Sequence, residues 1–290
     1  MLDGNKIWVG TGNLNAEDGT PENRCYLLLN QANRHGIISG ASGTGKTVTL
    51  KLLAEGFSQV GVPTFMADVK GDVTGMAQAG DDTENIQKRV TKFGIENWSL
   101  RGCPCRFWDM LGGVGIPVRV TVSEMGPTLL ARLLDLTDVQ EGVLNIAFRV
   151  ADDNQLLLID LKDLRSMLNF VAEHNKELET TYGHIAQASV GAILRALIAV
   201  EDQGGDIFFG EPELDLNDWF ACDANGHGYV NILNAAQLIQ RPAVYSMFLL
   251  WMLSSLFTTL PEVGDPEKPR FVFFFDEAHL LFDGMPKSLT

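Results

Sequence analysis

Two lengths of apolar run recur along the chain, and polar, glycine-rich breaks separate them. Short runs of alternating or continuous apolar residues predict strands; longer stretches with apolar residues three or four apart predict helices. Ile7-Trp8-Val9 and Cys25-Tyr26-Leu27-Leu28-Leu29 read as two strands joined by a polar loop. Gly36-Ile37-Ile38-Ser39 predicts a short buried strand, Val48 to Ala54 a helix, and Val62 to Asp68 a second strand. Strand, helix and strand with a short return make a parallel βαβ unit over 36–68. Between 126 and 201 four apolar stripes predict helices: Leu129 to Leu136, Val143 to Val150, Leu164 to Val171, and Ile193 to Ile198. These are core positions, and Asp160 and Ser189 fall where helix caps belong. Gly204-Gly205-Asp206 ends the helical pattern, and Tyr229 to Leu233 reads as a strand. Phe271-Val272-Phe273-Phe274-Phe275 predicts a fully buried strand. The expected fold class is therefore α/β. Residues 1–35 would form strands packing on a core made by 36–290, with a helical insertion over about 84–227.

Pro242 to Leu260 carries no charge and nearly reaches the length of a membrane span. Serines and threonines interrupt it and no basic cluster flanks it, so a buried helix of a soluble domain is expected. The rest of the composition agrees. The chain has 290 residues, 46% hydrophobic and 20% charged, with a net charge of −15. A bulk charge of that sign opposes non-specific attraction to nucleic acid or anionic membrane, but leaves room for a local basic lining. Residues 84–120 are the exception. They hold Lys88, Arg89, Lys92, Arg101, Arg106 and Arg119 against Glu84, Glu96 and Asp109, with Trp98 and Trp108 interleaved. That suits either a nucleic-acid face or, the preferred reading, an ordinary solvated surface. Cys103-Pro104-Cys105 has no second pair to complete a zinc site, so all four cysteines read as free thiols. His174, His184 and His227 lack metal-ligand spacing. The N-terminus has no apolar run of a secretory signal, and a cytoplasmic location is expected.

Candidate chemistry lies at two places. Gly40-Ala41-Ser42-Gly43-Thr44-Gly45-Lys46-Thr47 matches G-x-x-x-x-G-K-[ST], the phosphate-cradling P-loop. Backbone amides of the loop and of the helix's first turn would face phosphate oxygens. Gly40, Ser42, Gly43, Thr44, Gly45, Lys46, Thr47 and Val48 are thus the candidate nucleotide-binding residues. Lys46 would reach the β- and γ-phosphates, and the Thr47 hydroxyl would ligate Mg²⁺. At the carboxyl end of the strand Phe271 to Phe275 sit Asp276 and Glu277, a Walker B arrangement. Asp276 would be the second Mg²⁺ anchor and Glu277 the general base that polarises water. Lys46 and Glu277 are the candidate catalytic pair. In a parallel sheet ligands sit at the carboxyl ends of strands, so Asp68 and Lys70 are possible neighbours of the same site; a turn with solvated charges is the equal alternative.

With these residues the chain resembles the HerA/FtsK class of P-loop ATPases, and more closely the bacterial HerA-like ATPases. The matching stretches are Asn33-Arg34-His35-Gly36, Ala67-Asp68-Val69-Lys70-Gly71-Asp72, Ser123-Glu124-Met125-Gly126-Pro127, Gly204 to Pro212, and Phe274 to His279. The resemblance implies a RecA-like sheet, ATP and Mg²⁺ as cofactors, ATP hydrolysis, and a homo-oligomeric ring, a hexamer, with DNA in its pore and no membrane partner. Members of the class continue past Walker B with a sensor strand, which lies between the P-loop strand and the Walker B strand, and with an arginine finger. This chain stops at Thr290, so the resemblance implies an N-terminal portion lacking the last strands, with hydrolysis weakened.

Three functions fit: a HerA-like DNA translocase or helicase, an ATP-dependent switch or assembly factor that does not act on nucleic acid, and a DEAH-type helicase. Asp276-Glu277-Ala278-His279 spells the DEAH box. The separation of Lys46 from Asp276 is much longer than in DEAH helicases and disfavours that reading. The net charge suits the switch.

Overall fold

The computed structural model describes residues 2–12, 23–96, 98–260 and 262–276. In chain order the strands are β1 (Leu2–Asp3), β2 (Lys6–Thr11), β3 (Arg24–Leu28), β4 (Thr64–Asp68), β5 (Cys105–Asp109), β6 (Ile116–Pro117), β7 (Val230–Asn234) and β8 (Val272–Phe275). The helices are α1 (Lys46–Gln59), α2 (Glu84–Lys92), α3 (Val122–Leu133), α4 (Asp138–Asp153), α5 (Leu161–Glu173), α6 (Asn175–Tyr182), α7 (Gln187–Glu201), α8 (Gly205–Phe208) and α9 (Pro242–Thr259). They fall into two compact units. One comprises Met1–Trp108, Asp215–Asn234 and Glu262–Asp276; the other includes Asp109–Leu214 and Ala235–Pro261.

The first unit is built on parallel strands in the order β5-β7-β4-β8. The register pairs Asp68 with Asn234 and Ala67 with Phe275, which brings the carboxyl ends of β4, β7 and β8 to one edge. On one face α1 lays Leu53, Ala54 and Phe57 against Met66, Ile232 and Phe274. Ile7 of the antiparallel sheet β1-β2-β3 and Leu29, just past β3, join this core. Gly56 makes the contact possible: a Cβ there would lie 2.8 Å from Ile7 Cγ2. On the other face Phe65 stacks on Trp219 at 4.9 Å, and Trp219 meets Trp108 edge-on. A polar side chain between them, Asn231, is fully buried and satisfied. Its amide donates to Thr64 O and Trp219 O, and its oxygen accepts from Trp108 Nε1.

Two expected strands need correction. Residues 36–39 do not form a strand: the segment is irregular and Ile37 is 91% exposed. A strand exists only through a neighbour that accepts its ladder hydrogen bonds, and no described residue pairs with this segment. The βαβ unit over 36–68 therefore lacks its first strand. β8 is not fully buried either, for only Phe274 is. Among the described residues it pairs with β4 alone and so lies at the edge of the sheet they form.

The second unit is helical. α3 packs on α4, α4 and α5 on α7, and α9 on α3. The apolar stripes supply its interior, with Leu130, Leu144, Leu164, Leu168, Ile193 and Leu197 fully buried. Thr121, Thr137 and Asp160 cap α3, α4 and α5, and both Thr137 and Asp160 complete capping boxes. Asp160 is thus a cap, as expected. Ser189 is not: it lies inside α7, whose N-cap position is Ala186, and it is buried. The span 84–227 is not helical throughout, since it contains β5 of the sheet. Its alternation in Cys105 to Asp109 is too short to stand out beside the helical stripes. In α9 the residues from Val244 to Leu249, with Trp251, Met252 and Leu256, are buried. Leu253 and Phe257 face outward, so half of this helix is covered. It is long and apolar enough to cross a membrane by length and composition. A half-buried core helix passes the same test.

Candidate functional site

The P-loop and Asp276 belong to the first unit. Gly43 and Gly45 hold φ of 77° and 96°, the left-handed region that glycine occupies without strain. Gly45 is the N-cap of α1, so the helix begins at Lys46 and its first-turn amides lack helical acceptors. The loop is braced from within. Thr44 Oγ1 donates to Ala41 O at 2.8 Å, and a Cβ at Gly40 would strike that hydroxyl at 2.5 Å. Lys46 Nζ donates to Gly40 O at 2.9 Å and Ala41 O at 3.1 Å, which holds its ammonium over the loop. Thr49 Oγ1 donates to Gly45 O at 3.1 Å and fastens the loop to the helix. Ser42, Gly43, Thr44 and Val48 are exposed, and nothing lies within 4 Å of where a Cβ on Gly43 or Gly45 would sit.

Asp276 follows β8 at the same edge. Thr47 Oγ1 donates to Asp276 Oδ2 at 3.4 Å, across 229 residues of sequence. The structure thus brings Thr47 and Asp276 together beside Lys46. Glu277 lies outside the described residues, as do Ala278 and His279.

Asp68 stands near this edge but is engaged elsewhere. Its carboxylate is 2% exposed and accepts from Gly71 N at 2.7 Å and from Val73 N and Thr74 N at 3.1 Å. It closes the turn after β4, as the turn reading expects, but its charge is not solvated: the carboxylate is buried on the amides of its own turn. Asp109 does the same after β5, accepting from the amides of Leu111, Gly113 and Val114. Lys51 of α1 donates to Asp72 O, which ties the P-loop helix to the turn that Asp68 organises. Sequence reasoning missed that contact, because nothing marks a lysine one turn into a helix as a loop anchor. It also missed the hydrogen bond from Asn33 Nδ2 to Asp265 Oδ1, 2.9 Å, although Asn33 stood in a stretch already singled out.

The cationic stretch 84–120 does not form one aromatic-lined face. Trp108 is buried, Lys88 pairs with Glu84 at 2.7 Å, and Arg106 donates to Asp218 O at 2.6 Å while stacking over Tyr229. Cys103 and Cys105 are partly buried, and burial pushes their thiols up to about 11 and about 12.

A glycine-shaped loop opening a helix beside a parallel-strand carboxyl end, with an aspartate within reach of its threonine, defines a P-loop protein of α/β class. The family model for helicase HerA-like C-terminal domains matches residues 13–290, and the chain belongs to that family. Membership places it among P-loop motor ATPases, whose members use nucleotide and Mg²⁺. Among solved structures, VirB4 of Thermoanaerobacter pseudethanolicus is similar with a TM-score of 0.53 at 17% identity, over 99% of this chain and 71% of that one. That likeness shows the RecA-like fold. The bacterial conjugative coupling protein TrwBΔN70, in complex with sulphate, aligns with a TM-score of 0.49 at 14% identity, over 87% of this chain and 62% of that one. A search among curated proteins gives no match.

Proposed function

We infer that this chain binds ATP with Mg²⁺ through residues 40–48 and hydrolyses it as a HerA-type motor acting on DNA. The observation that carries the reading is the 3.4 Å approach of the Thr47 hydroxyl to the Asp276 carboxylate beside Lys46. A hydroxyl and a carboxylate are the oxygen donors that Mg²⁺ takes alongside phosphate. Thr47 and Asp276 would hold it, and the metal would neutralise charge on the β- and γ-phosphates. Loop amides and the Lys46 ammonium bind the same phosphates and stabilise the charge that spreads on the transferred group. Glu277, next in sequence, orients and polarises the attacking water. The remaining candidate residues act through the backbone: Gly40, Gly43 and Gly45 permit close approach, Ser42 and Val48 present their amides, and the Thr44 amide, 3.3 Å from Ala41 O, turns to the phosphate when nucleotide binds.

DNA as the substrate and a homo-oligomeric ring are supported by the family's helicase description. Cytoplasmic location fits four free cysteines in a nucleotide-using enzyme. One observation favours a second reading, an ATP-dependent switch that leaves nucleic acid alone: the net charge of −15. Two measurements on the same preparation separate them. ATP hydrolysis is expected, to be abolished by Lys46→Ala. DNA binding measured against salt is expected to fall steeply, since phosphate contacts release counterions. Hydrolysis without DNA binding at low salt would favour the switch, and wild-type hydrolysis by Lys46→Ala would defeat both readings.

A further inference from the structure

Polar side chains join the segment carrying the P-loop to the segment carrying Asp276 at both ends, outside the apolar packing of Phe57 on Phe274. Downstream, Thr47 reaches Asp276. Upstream, Asn33 Nδ2 donates to Asp265 Oδ1 at 2.9 Å, and Arg34 Nη2 lies 3.9 Å from the same oxygen. A few residues on, Lys268 Nζ donates to Val60 O at the end of α1, 2.5 Å. The turn Gly264 to Lys268 therefore grips both the entry to the P-loop segment and the exit from its helix, before β8 carries the chain to Asp276.

Register explains why such a grip matters. β8 has its register fixed by the ladder to β4, Thr64 with Val272 through Ala67 with Phe275. Residues 36–39 have no ladder with any described strand, so backbone pairing does not set how far the P-loop projects along β8. A slip of one residue moves an extended chain by about 3.3 Å. That is as large as the separation of Thr47 from Asp276. The orientation of Asn33 is also held at a cost. Its Oδ1 is buried without a hydrogen bond, while its amide faces a carboxylate that can only accept. Arg34 and Asp265 are mostly exposed, so their ion pair adds little stability.

We propose that Asn33 and Asp265 are positioning residues that set the Thr47–Asp276 spacing and hence the affinity of the site for Mg²⁺ with nucleotide. The role rests on the nucleotide reading above. It is tested by titrating the full chain with a fluorescent ATP analogue, once in EDTA and once against rising Mg²⁺. In Asn33→Ala and in Asp265→Ala the Mg²⁺ needed for half-maximal binding rises roughly threefold to tenfold, while binding in EDTA is unchanged. The exchanged pair Asn33→Asp with Asp265→Asn rebuilds the hydrogen bond in reverse and brings the Mg²⁺ requirement back. Lys46→Ala weakens binding in EDTA; if it does not, the nucleotide reading fails and takes this role with it. If Lys46→Ala behaves as expected but both alanine variants keep the wild-type Mg²⁺ requirement, the positioning role alone is overturned. It is equally overturned if the exchanged pair stays as impaired as the single variants.

Discussion

Three aspartates that end or follow strands of the parallel sheet look alike in sequence and do different work. Asp68 and Asp109 spend their oxygens on the amides of their own turns, whereas Asp276 accepts from Thr47. Asp68→Ala would leave buried amides without acceptors, and urea unfolding is expected to show a loss of roughly 2–4 kcal/mol. A loss below about 0.5 kcal/mol would mean that water replaces the carboxylate. The cysteines divide in the same way. Cys25 and Cys222 are exposed, while burial raises the thiols of Cys103 and Cys105 far above neutral pH. At pH 8 a thiol reagent is expected to label Cys25 and Cys222 quickly, and Cys103 and Cys105 only on unfolding, because the thiolate is the reacting form. Asp223 supplies a pH dependence. Amides of His227 and Asn225 bind its carboxylate and hold it below its ordinary value of 3.8. A depressed carboxylate stabilises the fold above its unfolded pKa and loses that contribution as pH falls through the folded one. Acid titration of Asp223→Asn is therefore expected to show a shallower loss of stability below pH 4 than the wild type.

Among the elements, α1 depends on a glycine that helix propensity alone would reject. Gly56→Ala gains about 1 kcal/mol of propensity. It also forces a methyl to within 2.8 Å of a fully buried Ile7, and overpacking of this kind costs roughly 1–3 kcal/mol. Net destabilisation is expected in thermal unfolding, and a stabilised Gly56→Ala would show that the β2–α1 contact yields. For α5, Asp160→Ala removes an N-cap that accepts from two amides, for a loss of about 1 kcal/mol. These features show which signals a sequence carries. Asp160 was legible because caps act within one turn, and the stripes around Leu164 and Ile193 were legible because helical periodicity is local. The P-loop was legible because glycine at 43 and 45 answers a backbone requirement that few other residues meet. Strands were harder. Ile37-Ile38 has the composition of a strand but pairs with no strand among the described residues, and β8 is apolar enough for a central position yet pairs, among those residues, with β4 alone. Neither fact is local, and neither is the reach of Asn33 to Asp265.

For the whole molecule, two distant stretches of a strongly acidic chain converge on one strand edge, where Thr47 meets Asp276. Family membership gives the motor class, and the site gives the chemistry by which such a motor would be driven. The measurement that bears most directly on this is calorimetric titration of ATP into wild type and Asp276→Asn, each with and without Mg²⁺. The wild type should bind more tightly with Mg²⁺, and Asp276→Asn should bind ATP alone as well as the wild type while losing most of the Mg²⁺ enhancement. An Asp276→Asn protein that keeps the full enhancement, or a wild type that binds no ATP at all, would contradict the shared site.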